Sequence, residues 1–286
     1  MPERWTHVRG DGGVRLAVRD LGGPASRPAV LLHHGLASSQ RIWDLMLPSL
    51  ARRHRVVTFD ARGHGRSAKP PSGYGFAHVA EDVRSVSAAL GLRRPLVVGH
   101  SWGAMVALEL AARSPRSVSG VVLVDGGVFP MRSSFPDWTT AKSALAPPHL
   151  TGTPLEEFRA MLRTFWSETL EVTPDVERTV LSLMVVRRDG TIRPRLSRAN
   201  HFKILRAIWE QDPIALHTGL RVPALAILAH GDDPGLAGAK RRAARELAEA
   251  GAPTRIAWMR GIHDLPLQHP EALARRIERF AALAVG

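Results

Sequence analysis

The chain of 286 residues contains no cysteine, so disulfides, thiolate metal sites and a cysteine nucleophile are all excluded. It has one tyrosine, Tyr74, and only four lysines beside 35 arginines. Nowhere do 18 apolar residues run together, and the start, Met1-Pro2-Glu3-Arg4-Trp5-Thr6-His7, lacks the apolar stretch of a secretory signal. The expectation from these absences is a soluble, cytoplasmic protein. What is present is ordinary for a globular chain: 44% of residues are apolar, enough for one large core with room for an inserted subdomain. The net charge of +13 would attract polyanions, but the basic residues are spread along the whole chain, nearly all as arginine. Such a bias fits a GC-rich coding sequence better than a binding patch, so neither nucleic acid nor membrane is expected as a partner.

Short apolar runs alternate with segments of helical period. Val14 to Val18 and the stretch before Gly10 predict an initial hairpin, and Pro28 to His33 a buried strand followed by an amphipathic helix near Ile42 to Ala51. His54 to Asp60 is the next predicted strand, Phe76 to Leu90 the next helix, and Pro95 to His100 and Val118 to Asp125 two further strands. Strand, helix, strand, helix is the signature of an α/β protein, a mostly parallel central sheet with helices on both faces. Right-handed crossovers then gather the functional loops at the carboxyl ends of the strands. The pattern breaks between about Phe129 and His217. Leu155, Phe158, Met161, Leu162, Phe165 and Trp166 recur at helical spacing, Val176 to Arg187 and His201 to Glu210 read as further helices, and Asp189-Gly190 reads as a turn. This predicts three parts: a core over 1–128, a helical cap inserted after the sixth strand over 129–217, and the rest of the core over 218–286. In the last part Val222 to Leu228 and Thr254 to Met259 read as strands, and Ala239 to Ala250 and the segment after Pro270 as helices.

The most specific motif is Gly99-His100-Ser101-Trp102-Gly103, between the apolar run Pro95 to Val98 and the helix-like Ala104 to Ala112. A strand that turns sharply through a serine into a helix is a nucleophile elbow. Flanking glycines are needed because side chains there would collide with the neighbouring strand and helix. The helix that follows aims free N–H groups and its positive dipole end at an oxyanion formed on a substrate.

With these residues the chain resembles the α/β-hydrolases over nearly its whole length. His33-His34-Gly35-Leu36 stands where that family places its oxyanion loop, and Asp60-Ala61-Arg62-Gly63-His64-Gly65-Arg66-Ser67 matches a segment that capped members share, read here as structural. Gly261-Ile262-His263-Asp264 follows the last strand, where the family places its general base. The resemblance implies Ser101 as nucleophile, His263 as base, and the backbone amides of Leu36 and Trp102 as oxyanion donors. The side chains of Leu36 and Trp102 are either walls of an acyl pocket or simple packing. No cofactor is implied. The adjacent pair His33-His34 lacks the carboxylate and spacing of a metal site, so no metal is expected.

The acid has three candidates. Family members most often take it from the loop after the seventh strand, but Gly231-Asp232-Asp233-Pro234 puts proline at the usual offset from the glycine. Asp125, ending the sixth strand before Gly126-Gly127, occupies the position used by dehalogenase-like relatives and is the preferred choice over Asp233 and Asp232. Serine in the elbow argues against dehalogenase and epoxide hydrolase chemistry, which need an aspartate nucleophile, and Tyr74 lies outside the insertion where epoxide hydrolases carry a tyrosine pair. The expected activity is hydrolysis of a small-molecule carboxylic ester or lactone through an acyl-enzyme. A hydrolase-fold receptor with slow turnover, or cofactor-free haloperoxidase, lyase or C–C hydrolase chemistry, stays open at this point. Phe158, Met161, Phe165, Trp166 and Trp209 are expected to supply the acyl pocket from the insertion.

Overall fold

The structure, a computed structural model, describes residues 4–231 and 234–283. A hairpin of β1 (Arg4–Arg9) and β2 (Arg15–Asp20) leads into β3 (Val30–His33), α1 (Leu47–Leu50), β4 (Val56–Phe59) and α2 (Phe76–Ala89). Next come β5 (Leu96–His100), α3 (Trp102–Arg113) and β6 (Gly120–Val124). The segment between β6 and β9 holds α4 (Trp138–Ala144), α5 (Leu155–Trp166), α6 (Pro174–Leu181), β7 (Met184–Val186), β8 (Ile192–Pro194), α7 (Arg198–Glu210) and α8 (Pro213–Thr218). The chain then runs through β9 (Ala224–His230), α9 (Pro234–Glu249), β10 (Thr254–Arg260), α10 (Leu265–Gln268) and α11 (Pro270–Leu283).

Among the described residues, eight strands form one sheet in the order β1-β2-β4-β3-β5-β6-β9-β10. From β4 to β10 neighbours run parallel, while β1 and β2 join antiparallel at one edge. This is the predicted α/β class. The period of two along each strand divides the interior into two cores. Leu31, Val97, Val121, Leu123 and Ala226 face α2 and α3, whereas Val30, Leu32, Val98, Val122 and Ile227 face α1 and α11. Strands β3 to β6 are buried throughout, as expected for parallel strands covered on both sides. Each buried valine, leucine or isoleucine there stabilises the fold by roughly 1.5–3 kcal/mol relative to exposure.

Two predicted elements are corrected. The helix expected over Ile42 to Ala51 is a 3₁₀ turn at Gln40–Trp43 and a separate short helix, α1, with Pro48 in its first turn. Pro48 has no N–H to continue an incoming helix, so a new one starts there. The segment between β6 and β9 is not wholly helical either. The helix expected over Val176 to Arg187 ends at Leu181, and Met184–Val186 pairs antiparallel with Ile192–Pro194 around the Asp189-Gly190 turn. Gly190 has φ +78° in that turn, and β-branched Val185 and Val186 favour the extended conformation over a further helical turn. Among the described residues no helix is long and apolar enough to cross a membrane.

Candidate active site

Ser101 links β5 to α3 with φ +54° and ψ −117°, a conformation that L-residues rarely adopt. The flanking glycines are sterically required. A Cβ on Gly99 would lie 2.0 Å from the Gly103 carbonyl oxygen, and one on Gly103 would lie 2.3 Å from the His33 oxygen. The Ser101 N–H donates to Val124 O at 2.8 Å, which ties the elbow to the end of β6. Gly35 packs directly against it: a Cβ there would stand 3.1 Å from Ser101 Cβ. The loop carrying Leu36 therefore lies over the serine. Trp102 N–H, at the first position of α3, has no carbonyl one turn back to bond. Both amides thus belong to backbone next to Ser101.

Asp125 follows β6 with φ +46°, a conformation that aspartate tolerates better than most residues. Its carboxylate is fully buried, and Oδ2 lies 2.7 Å from Nδ1 of His263. A carboxylate can only accept, so Nδ1 donates, and in the neutral imidazole Nε2 is then the nitrogen that carries the lone pair. The His263 side chain is 49% exposed and lines a cleft with Lys240, Arg260 and His269. His100 donates from Nε2 to the His263 carbonyl at 2.9 Å, and their rings are 4.8 Å apart, which fixes the His263 loop beside the elbow. Ser101 Oγ makes no hydrogen bond to His263 among the described residues, although bonds of this kind often tighten only when substrate binds. Burial works against charge on His263, yet the hydrogen bond and charge of Asp125, helped by Asp264, outweigh it and hold the imidazole above its ordinary 6.5. Burial likewise works to raise Asp125, but His263 and then Lys240 keep its carboxyl below the usual value. Asp232 and Asp233, the alternative acids, lie outside the described residues.

Beneath the elbow sits a cluster of neutral histidines. His33, His34 and His64 donate from Nδ1 to the carbonyls of His34, Gly35 and Arg62 at 2.8, 2.8 and 2.9 Å. Burial, with repulsion from neighbouring histidines, lowers each of their pKa values to about 3, and that of His100 to about 4. Trp102 is 1% exposed and stacks on His64, so its side chain is core packing rather than a pocket wall. Among the described residues no group of three or more histidines and carboxylates is arranged to hold a metal ion. The Asp60 to Ser67 segment acts as a brace: Asp60 accepts from Gln40 N and Arg66 N, and Arg62 makes two 2.7 Å bonds to Asp82 of α2.

A cavity of about 480 Å³ lies beside the oxyanion loop, lined by Ala37, Ser38 and His64 from the core and by Phe158, Leu183 and Met184 from the inserted segment. The residues expected to supply that lining mostly do not. Of the five, only Phe158 reaches it; Met161 and Phe165 are 44% and 77% exposed, Trp166 is buried in the core, and Trp209 packs on Trp138. α5 turns Phe158, Leu162 and Trp166 inward, and Met161 and Phe165 face outward. Two site residues carried no sequence signal. His217 bonds the Gly127 carbonyl behind the Asp125 turn at 2.7 Å, and Lys240 of α9 lies against Asp125. Neither stands in a motif, and only the fold brings them there.

A serine in a strand-turn-helix elbow, with the Gly35 loop against it and a histidine bonded to a buried carboxylate from later loops, sits at the ends of the parallel strands of an α/β sheet. The chain belongs to the alpha/beta hydrolase fold family, whose sequence profile matches residues 28–231. A protein of Caulobacter vibrioides, named provisionally as the carbamate hydrolase RutD, is 43% identical over 107 residues, 37% of this chain and 40% of that one. A Mycobacterium bovis protein named as the probable oxidoreductase EphD is 30% identical over 300 residues, 96% of this chain. The matched region spans about half or less of the length of these relatives. Among solved structures, E-2-(acetamidomethylene)succinate hydrolase superposes with a TM-score of 0.78 at 24% identity over 98% of this chain and 99% of its own, a likeness of fold.

Proposed function

We propose that the protein hydrolyses carboxylic esters or lactones, with Ser101 as nucleophile, His263 as general base, Asp125 as the partner of that base and the Leu36 and Trp102 amides as oxyanion donors. The observation that carries this reading is the strained Ser101 held between the oxyanion loop and a helix N-terminus, next to a histidine whose Nδ1 is engaged by a buried carboxylate. Ser101 Oγ attacks the acyl carbon while its proton passes to His263 Nε2, and the carbonyl electrons move onto oxygen, where the two amides donate to it. The imidazolium returns its proton to the leaving alkoxide, which departs and leaves an ester on Ser101. Water then gives a proton to Nε2 and attacks the ester. Ser101 Oγ leaves with that proton, and the free acid is released. The provisional name of one relative, a carbamate hydrolase, supports hydrolytic chemistry.

Residues 129–217 are read as a lid over this site, since the cavity is walled jointly by Ala37 and Ser38 of the oxyanion loop and by Phe158, Leu183 and Met184. The test is turnover of p-nitrophenyl esters by the wild type and Ser101→Ala. Many turnovers per wild-type molecule, and a loss of roughly 10⁴-fold or more in the variant, are expected. A single burst followed by arrest would instead indicate a receptor that keeps the triad, and undiminished turnover in Ser101→Ala would sink the assignment.

A further inference from the structure

Lys240 is one of only four lysines in a chain that otherwise uses arginine for its positive charge, and it is 5% exposed. It reaches from α9 to Asp125, just past the end of β6, and to Ala229 of β9. Its ammonium lies 2.6 Å from Asp125 Oδ1, 2.9 Å from Asp125 Oδ2 and 2.9 Å from the Ala229 carbonyl oxygen, which occupies all three of its protons. Asp125 Oδ1 also accepts from Ala229 N–H at 2.8 Å, and Oδ2 from His263. The backbone amide and the ammonium thus hold Oδ1, while Oδ2 is shared between the ammonium and the imidazole, which fixes the plane of the carboxylate against His263.

We propose that Lys240 is a positioning residue of the site: its ammonium fixes the orientation and the charge of Asp125, and so sets how strongly that carboxylate pulls on His263. The proposal rests on the reading of Asp125 as the partner of the base. Lys240 has two opposed effects. It holds Asp125 ionised and aimed, which favours the imidazolium formed as Ser101 attacks. Its positive charge also offsets part of the negative charge that His263 feels, which keeps the base neutral at lower pH than a lone aspartate would allow. Among the described residues the other charged or titratable groups around His263 are Asp264 on its own loop, His100 from β5, and Glu168, Arg260 and His269, which line the same cleft. Lys240 is the cation that touches the carboxylate directly.

The experiment compares the wild type with Lys240→Met, Lys240→Gln and Lys240→Arg by the pH profile of kcat/KM on a p-nitrophenyl ester, and by NMR titration of the His263 ring in ¹⁵N-histidine-labelled protein. Removing the charge in Lys240→Met or Lys240→Gln should raise the His263 midpoint by about one to two pH units. It should also lower kcat by about tenfold as Asp125 loses its alignment. Lys240→Arg should return the midpoint towards wild type, because it keeps the charge. The NMR titration needs no turnover, so it reads the coupling even if the protein does not hydrolyse esters. Lys240→Gln retains a donor, and is the variant to use if Lys240→Met does not fold. A His263 midpoint unchanged in folded Lys240→Gln would overturn the proposal and leave Lys240 as a structural counter-ion.

Discussion

Two buried carboxylates, Asp82 on α2 and Asp125 after β6, each hold a cation, yet they differ in what they can do. Asp82 and Arg62 are 0% and 2% exposed, and Asp82 takes both Arg62 bonds and the Asp11 N–H at 2.9 Å. Burial dominates there, and the Asp82 carboxyl is pushed above its ordinary value despite the guanidinium. Asp125 is as deeply buried but sits below its ordinary value, because His263 and Lys240 both favour its charge. The contrast lies in the partners. An arginine never gives up its proton, so the Asp82 pair is closed and can only brace the loop after β4 against α2. His263 titrates and keeps one nitrogen towards the open cleft, so the Asp125 pair can transmit a change of charge.

Breaking each pair should give opposite phenotypes. Asp125→Asn should lower kcat by about 10³–10⁴-fold per folded molecule, since the amide no longer selects the right tautomer or stabilises the imidazolium. It also leaves Lys240 facing an amide, so steady-state kinetics must be normalised to the folded fraction from calorimetry. Asp232→Asn and Asp233→Asn should stay within a few-fold of wild type, and a crippled Asp233→Asn beside a nearly normal Asp125→Asn would move the acid to that loop. Asp82→Ala should do the reverse, destabilising the fold by about 3–5 kcal/mol because Arg62 is left buried without its counter-charge. Urea melts give that figure, and kcat of the folded fraction should be unchanged.

The pH dependences sharpen the same contrast. His263 is raised above 6.5 and, as the proposed base, must be neutral to accept a proton, so kcat/KM should fall as pH drops, with a midpoint above 6.5. The histidines beneath the elbow have the opposite sign. His33, His34, His64 and His100 are held neutral with folded values far below 6.5, so at lower pH the unfolded chain binds more protons and stability is lost. Each contributes up to about 1.4 kcal/mol per pH unit over that window. Thermal melts should therefore decline steeply from pH 6.5 towards 4, and a flat Tm over this range would contradict the buried cluster. The smallest effect belongs to the cavity wall. Leu183→Ala should shift the ratio of long-chain to short-chain ester kcat/KM by up to about tenfold, and an unchanged ratio would count against the lid reading.

Much of this arrangement is legible in the chain because its constraints are local. The Ser101 elbow needs glycine at 99 and 103 for steric reasons that a pentapeptide records, and the buried strands read as unbroken apolar runs. The β7–β8 hairpin was not legible, because three-residue strands beside a helix carry too few residues to show a period. Phe165 is expected to line the pocket from the apolar bulk of the insertion, but bulk does not say which way a side chain faces, and Phe165 is 77% exposed. Lys240 had no signal at all. Its role comes from α9 packing on β9, the sheet neighbour of β6, which brings together residues 115 positions apart.

The central claim is the covalent role of Ser101, and the most direct measurement is peptide mapping by mass spectrometry after reaction with a fluorophosphonate. A single phosphonyl group on Ser101 in the wild type, with no adduct in Ser101→Ala, is the expected result. An adduct on another residue, or an unlabelled wild type that still turns over esters, would contradict it.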